Sequence, residues 1–259
     1  MNELRPQFLL VGRGDQARRI AYLRQPGSSP GVFWLQGFNS NMISTKAAAL
    51  SQWAQRSGRA YVRFDYSGHG QSEGRFEDGT LSTWLADSIA VFNELTSGSQ
   101  IVVGSSMGGN IALLMLRQLL AHQPEHARRI KALILIAPAW NMTEELMWKR
   151  FSDEAKAAIV DDGVWYRPSK YDDGPYPITR RLIEDGRDNL LDHRPWDVGR
   201  PVHIIHGRLD PDVPFAHGER LAALLQGSPV SLTEIPDGEH RLSRPQDLHV
   251  LFKAIEDVT

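Results

Sequence analysis

The amino-acid sequence predicts an α/β fold with a mostly parallel central sheet, helices on both faces and a small helical cap. Short apolar runs alternate with longer segments of helical spacing, which is typical of βαβ units and a parallel sheet. The alternation stops after residue 139 and returns near residue 198, and a length of 259 residues suits one large domain with such an insertion. We therefore predict a core formed by residues 1–139 and 198–259 and an inserted cap formed by residues 140–197.

The composition excludes several functional classes. Hydrophobic residues make up 41% and charged residues 23% of the chain, as in ordinary globular proteins. A net charge of −2 provides no broad attraction to nucleic acid or to an anionic membrane. The absence of cysteine excludes disulfides, thiolate catalysis and cysteine-ligated metals. No apolar stretch is long enough to cross a bilayer and no secretory signal is visible, so we expect a cytoplasmic protein without a nucleic-acid partner or a transmembrane segment.

A hairpin and two further strand–helix units are predicted before residue 96. The turn at residues 12–15 has glycine at positions 12 and 14, which suggests that the first two strands form a hairpin at the sheet edge. Residues 66–74 are too rich in glycine to be anything but a loop. Strands are expected at residues 8–11, 18–23, 31–36 and 59–65, and helices at residues 46–55 and 81–95.

The stretch at residues 101–109 brings a strand, a tight turn and a helix together. Its apolar start leads into residues 104–108, which have the pattern G-x-S-x-G, and a helical run follows from residue 110 to residue 120. In this setting the pattern indicates a nucleophile elbow with Ser106 as the nucleophile. Gly104 and Gly108 leave room for the strand and the helix to close around the serine. The helix N-terminus favours negative charge, so the Met107 N–H is the first expected donor to an oxyanion.

Regular strands and helices are expected again after the elbow, interrupted by the predicted cap. No strand is convincing within the cap, and Asn141 followed by Glu144 suggests a helix start of the capping-box kind. Apolar residues near helical spacing suggest an apolar roof, of which Met142, Met147 and Trp165 are expected to contact substrate. Strands are expected at residues 130–137, 202–206 and 230–235, and helices at residues 215–225 and 245–255.

The predicted partners of Ser106 are Asp210 and His240. A serine hydroxyl needs a base within hydrogen-bond reach, and that base needs an orienting carboxylate. The expected chain order is serine, acid, histidine, and both residues follow strands whose ends would lie at the edge that carries the serine. Asp212 is a competing carboxylate, but it better suits the N-cap of the helix that begins near Pro214.

Four further residues are assigned to the same edge of the sheet. The second oxyanion donor is expected from the loop after the strand at residues 31–36, which nominates the Phe38 N–H. Asn39 follows closely and is expected to contact substrate. His69 lies in the glycine-rich loop and His206 at a strand end, and we expect both to be structural.

The ordered motifs resemble those of the α/β-hydrolase superfamily from end to end. The resemblance rests on GSSMGG at the elbow, FDYSGHGQSEG in the loop, HGRLDPDVP around the acid and DGEHRLS around the base. Further segments, including QGFNSNMISTKA and GVWYRPSKYDD, are similar to the branch of palmitoyl-protein thioesterases that also hydrolyse acyl glucuronides. The resemblance implies Ser106 as nucleophile, Asp210 as acid, His240 as base and a fatty or bulky acyl substrate. No transit peptide is apparent, so we expect a bacterial or cytosolic relative of that mitochondrial branch.

These observations predict a serine hydrolase that cleaves an ester or thioester through an acyl-enzyme, with no metal or organic cofactor. The substrate is expected to be a small-molecule or acyl-chain ester or thioester, with an acylated protein as a further candidate. A peptidase of the prolyl-aminopeptidase kind would use the same triad, and the pairs at residues 161–162 and 172–173 could bind an amino terminus. A carboxylesterase similar to monoacylglycerol lipase would also use this triad, and an intact triad is compatible with a non-catalytic binding protein on the same scaffold.

Overall fold

The computed structural model describes residues 5–168 and 174–259 of the chain. Within these residues, eight strands form one central sheet in the order β1-β2-β4-β3-β5-β6-β9-β10 and two form a separate pair, β7-β8. The strands are β1 Gln7–Val11, β2 Arg18–Gln25, β3 Ser28–Leu35, β4 Arg59–Phe64, β5 Gln100–Ser105, β6 Ile130–Ile136, β7 Val164–Arg167, β8 Tyr176–Thr179, β9 Val202–Gly207 and β10 Val230–Ile235. Only β2 runs against its neighbours in the described sheet, and the predicted hairpin of β1 and β2 is confirmed.

Helices fill the connections between the parallel strands. They are α1 Thr45–Arg56, α2 Leu81–Leu95, α3 Met107–His122, α4 Pro124–Arg128, α5 Asp153–Asp161, α6 Arg180–Asp188, α7 Phe215–Leu224 and α8 Pro245–Asp257. Short 3₁₀ helices span Gly14–Gln16, Phe76–Asp78 and Trp148–Arg150, and a π-helix spans Met142–Met147. None of the described helices is both long and apolar enough to cross a membrane. The cytoplasmic location stays a prediction.

The core lies on both faces of the sheet. Successive side chains of a strand point to opposite faces, so Phe33 and Leu35 join one buried cluster while Val32 and Trp34 join the other. Helices α2, α3 and α7 contribute to the first cluster, and α1 and α8 contribute to the second. Burial on both faces explains why the central strands are continuous apolar runs in the sequence, as expected for a parallel sheet. The predicted mostly parallel sheet with helices on both faces is confirmed.

The sheet brings six loops to one edge. Because β3, β4, β5, β6, β9 and β10 are parallel, the loops that follow them all leave at the carboxyl ends of the strands. These loops begin near Gln36, Asp65, Ser106, Ala137, Arg208 and Pro236. The elbow, the acid segment and the base segment are therefore neighbours in space although they are far apart in sequence.

Residues 140–197 contribute no strand to the central sheet in their described part, but they do contain a hairpin. Strands β7 and β8 pair in antiparallel register, with Val164 opposite Thr179 and Arg167 opposite Tyr176. The expectation of no strand in this segment is therefore wrong. Each strand has only four residues, and β8 contains Pro177, so neither carries the usual pattern of a strand. The role of residues 140–197 as a cap stays a prediction.

The predicted capping box at Asn141 is also wrong. Asn141 has a left-handed backbone with φ +52° and makes no side-chain cap bond to the π-helix that follows it. Its side chain instead donates to the Leu191 carbonyl at 2.9 Å and accepts from the Leu191 N–H at 2.7 Å. The Asn141 side chain thus links the start of residues 140–197 to a point near their end. It is not free to cap a helix, because Leu191, 50 positions away, satisfies both its donor and its acceptor.

Candidate active site

The turn from β5 to α3 holds Ser106 in a strained conformation. Ser106 has φ +55° and ψ −117°, a region that residues with a side chain rarely adopt. A Cβ on Gly108 would overlap the Leu35 carbonyl, and a Cβ on Gly104 would overlap the Gly108 carbonyl, so the turn can close only with glycine at both positions. A Cβ on Gly109 would lie 2.8 Å from the Cβ of Pro138, so a larger residue at this third position would crowd the loop after β6. The geometry is that of the predicted elbow.

Ser106, His240 and Asp210 form a continuous chain of hydrogen bonds. His240 Nε2 lies 3.0 Å from Ser106 Oγ, and His240 Nδ1 lies 2.7 Å from Asp210 Oδ2. A carboxylate can only accept, so Nδ1 carries the proton and Nε2 is left to accept from the serine hydroxyl. The three side chains come from the loops after β5, β10 and β9, which places a hydroxyl, an imidazole and a carboxylate in contact.

The surroundings of Asp210 keep its carboxyl group ionised. Its Oδ1 accepts from the backbone N–H groups of Asp212 at 2.9 Å and Val213 at 2.8 Å. Burial alone would raise the pKa of Asp210, but hydrogen bonds from His206, His240 and Val213 outweigh burial and hold the pKa well below its ordinary value. The carboxylate therefore stays charged beside His240 throughout the neutral range.

Asp212 does not cap the helix that follows it. The N-cap of α7 is Pro214, and no side chain caps this helix, so the predicted capping role of Asp212 is wrong. The Asp212 N–H bonds to Asp210 Oδ1 in a turn of the Asx kind, which fixes the backbone of the loop. Asp212 lies instead among the residues that line the cavity at Ser106.

The two histidines that were expected to be structural are buried and bonded to backbone. His206 Nε2 donates to the Val213 carbonyl at 2.9 Å and lies 3.6 Å from Asp210 Oδ2, so it also braces the acid loop. His69 Nδ1 donates to the Ser67 carbonyl at 3.2 Å. Burial lowers the pKa of His69 to about 4, which leaves its ring neutral at neutral pH. Neither ring contacts Ser106, and each carbonyl partner fixes which ring nitrogen is protonated.

The two nominated oxyanion donors belong to the residue that follows Ser106 and to a residue that lines the same cavity as Ser106. Met107 is the first residue of α3, so its N–H has no acceptor one turn earlier in the helix. Phe38 follows β3 and lines the same cavity as Ser106. The Phe38 ring is held between three aromatic rings, with centroid distances of 5.0 Å to Phe76, 5.8 Å to Trp84 and 5.7 Å to Tyr176. This packing fixes the loop from which the second donor would come.

A cavity of about 550 Å³ opens beside Ser106 and His240. Its lining has two distinct parts. Much of the polar lining comes from the loop after β3, the start of α1 and the loop after His240, and this part includes Asn39, Ser40, Asn41, Ser44, Thr45, Lys46, Arg241 and Ser243. Much of the apolar lining comes from the start of the predicted cap and its surroundings, and this part includes Ala139, Met142, Leu146, Met147 and Val213. The cavity thus offers both a hydrogen-bonding and a hydrophobic surface next to the nucleophile.

Three of the four residues that were expected to contact substrate line this cavity. Asn39, Met142 and Met147 are among the lining residues, whereas Trp165 is not. The Trp165 ring packs on Phe151 at a centroid distance of 4.9 Å, within the larger hydrophobic cluster. The aromatic side chain is therefore used to pack the segment, and the structure does not bring it to the cavity.

Sequence reasoning missed Lys46, Arg167 and Tyr176, which also line the cavity. Leu146, which lines it too, stands four residues after Met142 and is one of the residues near helical spacing that predict an apolar roof. Lys46 stands in the first turn of α1, where a positive charge opposes the helix dipole, and this was a usable signal. Arg167 and Tyr176 are partners in the β7–β8 pair, and nothing local in the sequence indicates that pairing.

Comparison with known proteins identifies relatives that match most of this chain. The chain is 34% identical to the mitochondrial palmitoyl-protein thioesterase ABHD10 of Bos taurus over 242 residues, which cover 92% of this chain and 76% of the bovine protein. The solved structure of mouse α/β hydrolase domain-containing protein 10 matches with 32% identity, a TM-score of 0.84 and 98% coverage of both chains. A crystal structure from Agrobacterium vitis S4 matches with 39% identity, a TM-score of 0.94 and 99% coverage of both chains.

The family assignment follows from these matches and from a family model. Residues 31–163, which run from β3 through the elbow and into the predicted cap, match the family described as serine aminopeptidase, S33. The resemblance to the palmitoyl-protein thioesterase branch is confirmed by the match to ABHD10 along most of both chains. The chain belongs to the serine aminopeptidase S33 family and is an α/β hydrolase.

Proposed function

We propose that this hydrolase cleaves an ester or thioester with Ser106 as nucleophile, His240 as general base and Asp210 as the orienting acid. The observation that carries the proposal is the unbroken hydrogen-bond chain from Asp210 through His240 to Ser106, at the wall of a cavity. Serine is a weak nucleophile at neutral pH, and this arrangement supplies the base that it needs.

In the first step, Ser106 Oγ attacks the substrate carbonyl carbon while His240 Nε2 takes the hydroxyl proton. The imidazolium that forms lies 2.7 Å from the Asp210 carboxylate, whose lowered pKa keeps it negative and available to stabilise that charge. The N–H groups of Phe38 and Met107 are proposed to stabilise the oxyanion, with support from the N-terminus of α3. His240 then gives its proton to the leaving alcohol or thiol, and the acyl group stays on Ser106.

In the second step, a water molecule replaces the leaving group. His240 Nε2 takes a proton from this water as its oxygen attacks the carbonyl of the acyl-enzyme. The bond to Ser106 Oγ then breaks, His240 returns the proton to the serine, and the acid product leaves. A single base thus serves both steps of the proposed reaction, because His240 takes up a proton and gives it away once in each step.

The acyl group is proposed to be apolar, with a fatty acyl chain as the favoured case. The apolar lining supports this, because Met142, Leu146 and Met147 present flexible hydrophobic side chains to the cavity. The relatives named palmitoyl-protein thioesterase support the same class. A small-molecule ester or thioester and an acylated protein both carry such a group, and the polar lining is proposed to receive the alcohol or thiol portion.

A peptidase function is less well supported by the described residues. An aminopeptidase needs carboxylates that bind the amino terminus of its substrate. Asp161 and Asp162 are exposed near the end of α5 and do not line the cavity, and residues 172–173 lie outside the described residues. Of the carboxylates in the described part of the chain, Asp212 is the one that lines the cavity.

The test begins with covalent labelling by a fluorophosphonate probe. We expect the folded wild-type protein to be labelled and the Ser106→Ala variant to stay unlabelled. A folded wild-type protein that is not labelled would favour a non-catalytic binding protein, and labelling of the variant would place the nucleophile elsewhere.

Substrate class is then tested with matched acyl thioesters, oxygen esters and aminoacyl anilides. A rise in kcat/KM from acetyl to palmitoyl supports an apolar acyl site. A thioester excess beyond intrinsic reactivity supports a thioesterase, a maximum at acetyl or butyryl supports a carboxylesterase for small esters, and turnover of the anilides alone supports the peptidase.

A further inference from the structure

Lys46 links α1 to the loop that carries His240. It stands in the first turn of α1, and its Nζ donates to the Arg241 carbonyl and, at 3.3 Å, to Ser243 Oγ. Both acceptors lie within three residues of the proposed base and are separated from Lys46 by 195 and 197 positions in the chain. Lys46 and His240 also line the same cavity.

We infer that Lys46 is a positioning residue that holds the loop of residues 240–243 so that His240 Nε2 stays within reach of Ser106 Oγ. The inference rests on the proposed function, since it concerns the base of that reaction. Lys46 is not proposed to exchange protons with the substrate. It acts through His240, by fixing the backbone next to it.

The backbone between the two acceptors is the part of this loop that needs support. Leu242 has φ +41°, a left-handed conformation that is costly for a residue with a branched side chain. Its side chain is buried in the cluster that contains Ala47 and Leu50 of α1. Lys46 bonds to the residue on each side of Leu242, so burial and the lysine together keep the strained turn closed.

The placement of Lys46 is electrostatically unfavourable, which argues against a role in helix stability. A positive charge in the first turn opposes the dipole of α1. Burial, together with the positive charge of Arg241, lowers the pKa of Lys46 to about 8, against the opposing attraction of Asp247 in α8. The other ionisable groups around this point are His240 on the same loop and Arg244, which pairs with Asp247 at 2.9 Å.

The lowered pKa predicts a pH dependence of the link. Below pH 8 the ammonium donates charge-assisted bonds, and above pH 8 the neutral amine donates weaker ones. The unfolded chain binds this proton up to its ordinary pKa of 10.5, so losing it in the folded state raises the free energy of unfolding between pH 8 and 10.5. If Lys46 positions His240, turnover should fall above pH 8, because the bonds from Lys46 weaken when it loses its proton. In the same pH range, the free energy of unfolding should rise.

The experiment measures kcat and KM on a short neutral ester from pH 6 to pH 10 for four proteins. They are the wild type, Lys46→Met, Lys46→Arg and the matched control Lys131→Met, whose Nζ donates to the Thr259 carbonyl at 2.7 Å away from the cavity. We expect Lys46→Met to lower kcat about tenfold at pH 7 with KM unchanged within about twofold, as for loss of a charged hydrogen bond. The wild type should lose kcat above pH 8 and Lys46→Met should not.

Two further results complete the expectation. Lys46→Arg should recover most of the lost kcat and move the alkaline fall to higher pH, since a guanidinium keeps its charge. The thermal midpoint of Lys46→Met should stay close to that of the wild type, and Lys131→Met should match the wild type in all respects. A short neutral ester is chosen so that contact with an anionic leaving group cannot contribute.

Three outcomes would overturn the inference while leaving the proposed function in place. These are a Lys46→Met variant with the kcat of the wild type, an alkaline fall that persists in that variant, and a loss seen only in KM. An inactive wild-type protein, or labelling that does not depend on Ser106, would instead overturn the proposed function itself.

Discussion

The proposed nucleophile, acid and base stand on loops that leave strands of one sheet, whereas Met142 and Met147 stand on a segment that adds no strand to that sheet in its described part. Strands β5, β6, β9 and β10 are consecutive neighbours, so hydrogen-bonded register fixes the spacing of the loops that carry Ser106, Asp210 and His240. The methionines are placed by side-chain packing and by a few polar links. Reaction geometry and substrate contact are thus set by different kinds of interaction.

Polar side-chain links join the second region to the core near both of its ends. Near the start, Trp140 Nε1 donates to the His217 carbonyl at 3.0 Å, and Arg150 donates to the Asp212 carbonyl at 2.7 Å. Towards the end, Asn189 Nδ2 donates to Ser82 Oγ at 2.8 Å, and Arg117 donates to the Leu190 carbonyl at 2.8 Å. These links are not strand pairs of the central sheet, so the segment can vary in shape without changing the register of that sheet, which is how one set of strand-end loops can serve different substrates.

The largest expected effect comes from removing the nucleophile. Ser106→Ala should lower kcat about a thousandfold or more, because the acyl-enzyme can no longer form. The loss should be equal for acetyl, butyryl and palmitoyl substrates, since the sheet edge carries the chemistry and not the choice of acyl chain. Steady-state kinetics on the three substrates measures this, with Ser51→Ala on the outer part of α1 as the control. A loss of kcat that depends on chain length would contradict the separation of reaction chemistry and acyl-chain selection between the two regions.

The first region could be predicted from sequence because its signals are local and ordered. Gly104 and Gly108 flank Ser106, and Asp210 and His240 each follow a recognisable apolar strand, so strand order alone brings them together. The bounds of α2 and β10 agree with the structure to the residue, and α3 begins three residues earlier than expected. In this region, secondary structure, topology and site follow from the same pattern.

The second region was less predictable because its determinants are distant partners. Asn141 suggests a helix cap locally, yet Leu191 satisfies its side chain. Strands β7 and β8 have four residues each, which is too short for a recognisable strand pattern. Within the described residues each of them pairs only with the other. The partner of Lys46 lies 195 residues away. No periodicity within a short window can report such contacts.

Acid should destabilise the protein through two buried histidines. Burial lowers the pKa of His69, in the loop after β4, and of His217, on α7 beside Trp140, to about 4 in each case. The unfolded chain takes up these protons below pH 6.5, so stability that is present above pH 6.5 is lost as the pH falls towards 4. Each histidine should account for a loss on the order of 3 kcal/mol, because its pKa is about 4 in the folded state and 6.5 in the unfolded chain.

Denaturant unfolding at several values between pH 7 and pH 4 measures this loss. His217→Gln keeps a donor for the Trp140 carbonyl and should reduce the acid sensitivity by about half, whereas the exposed His249 of α8, changed to glutamine, should leave it unchanged. If His217→Gln has the pH dependence of the wild type, the ring of His217 does not titrate on unfolding, and the acid sensitivity comes from His69 instead.

Chain-length preference should respond to the apolar lining. Met142→Ala removes a side chain that lines the cavity and should lower kcat/KM for palmitoyl substrates about tenfold, as expected for the loss of one or two buried methylene contacts. The acetyl substrate should change little, so the ratio of the two values reports selectivity independently of how much enzyme is folded. Met142→Leu conserves volume and should keep the wild-type ratio. Equal losses on both substrates would assign Met142 to packing alone.

The smallest kinetic effect is expected at Trp165, which shares its segment with the methionines but packs on Phe151. Trp165→Leu should lower the thermal midpoint, because an edge-to-face aromatic pair contributes about 0.5–1.5 kcal/mol beyond its buried area. The ratio of palmitoyl to acetyl kcat/KM should change by less than about twofold, since the ring does not line the cavity. A larger change in this ratio would show that the acyl chain extends past the methionines to the β7–β8 pair, and the segment would then bind substrate along more of its length than its cavity lining indicates.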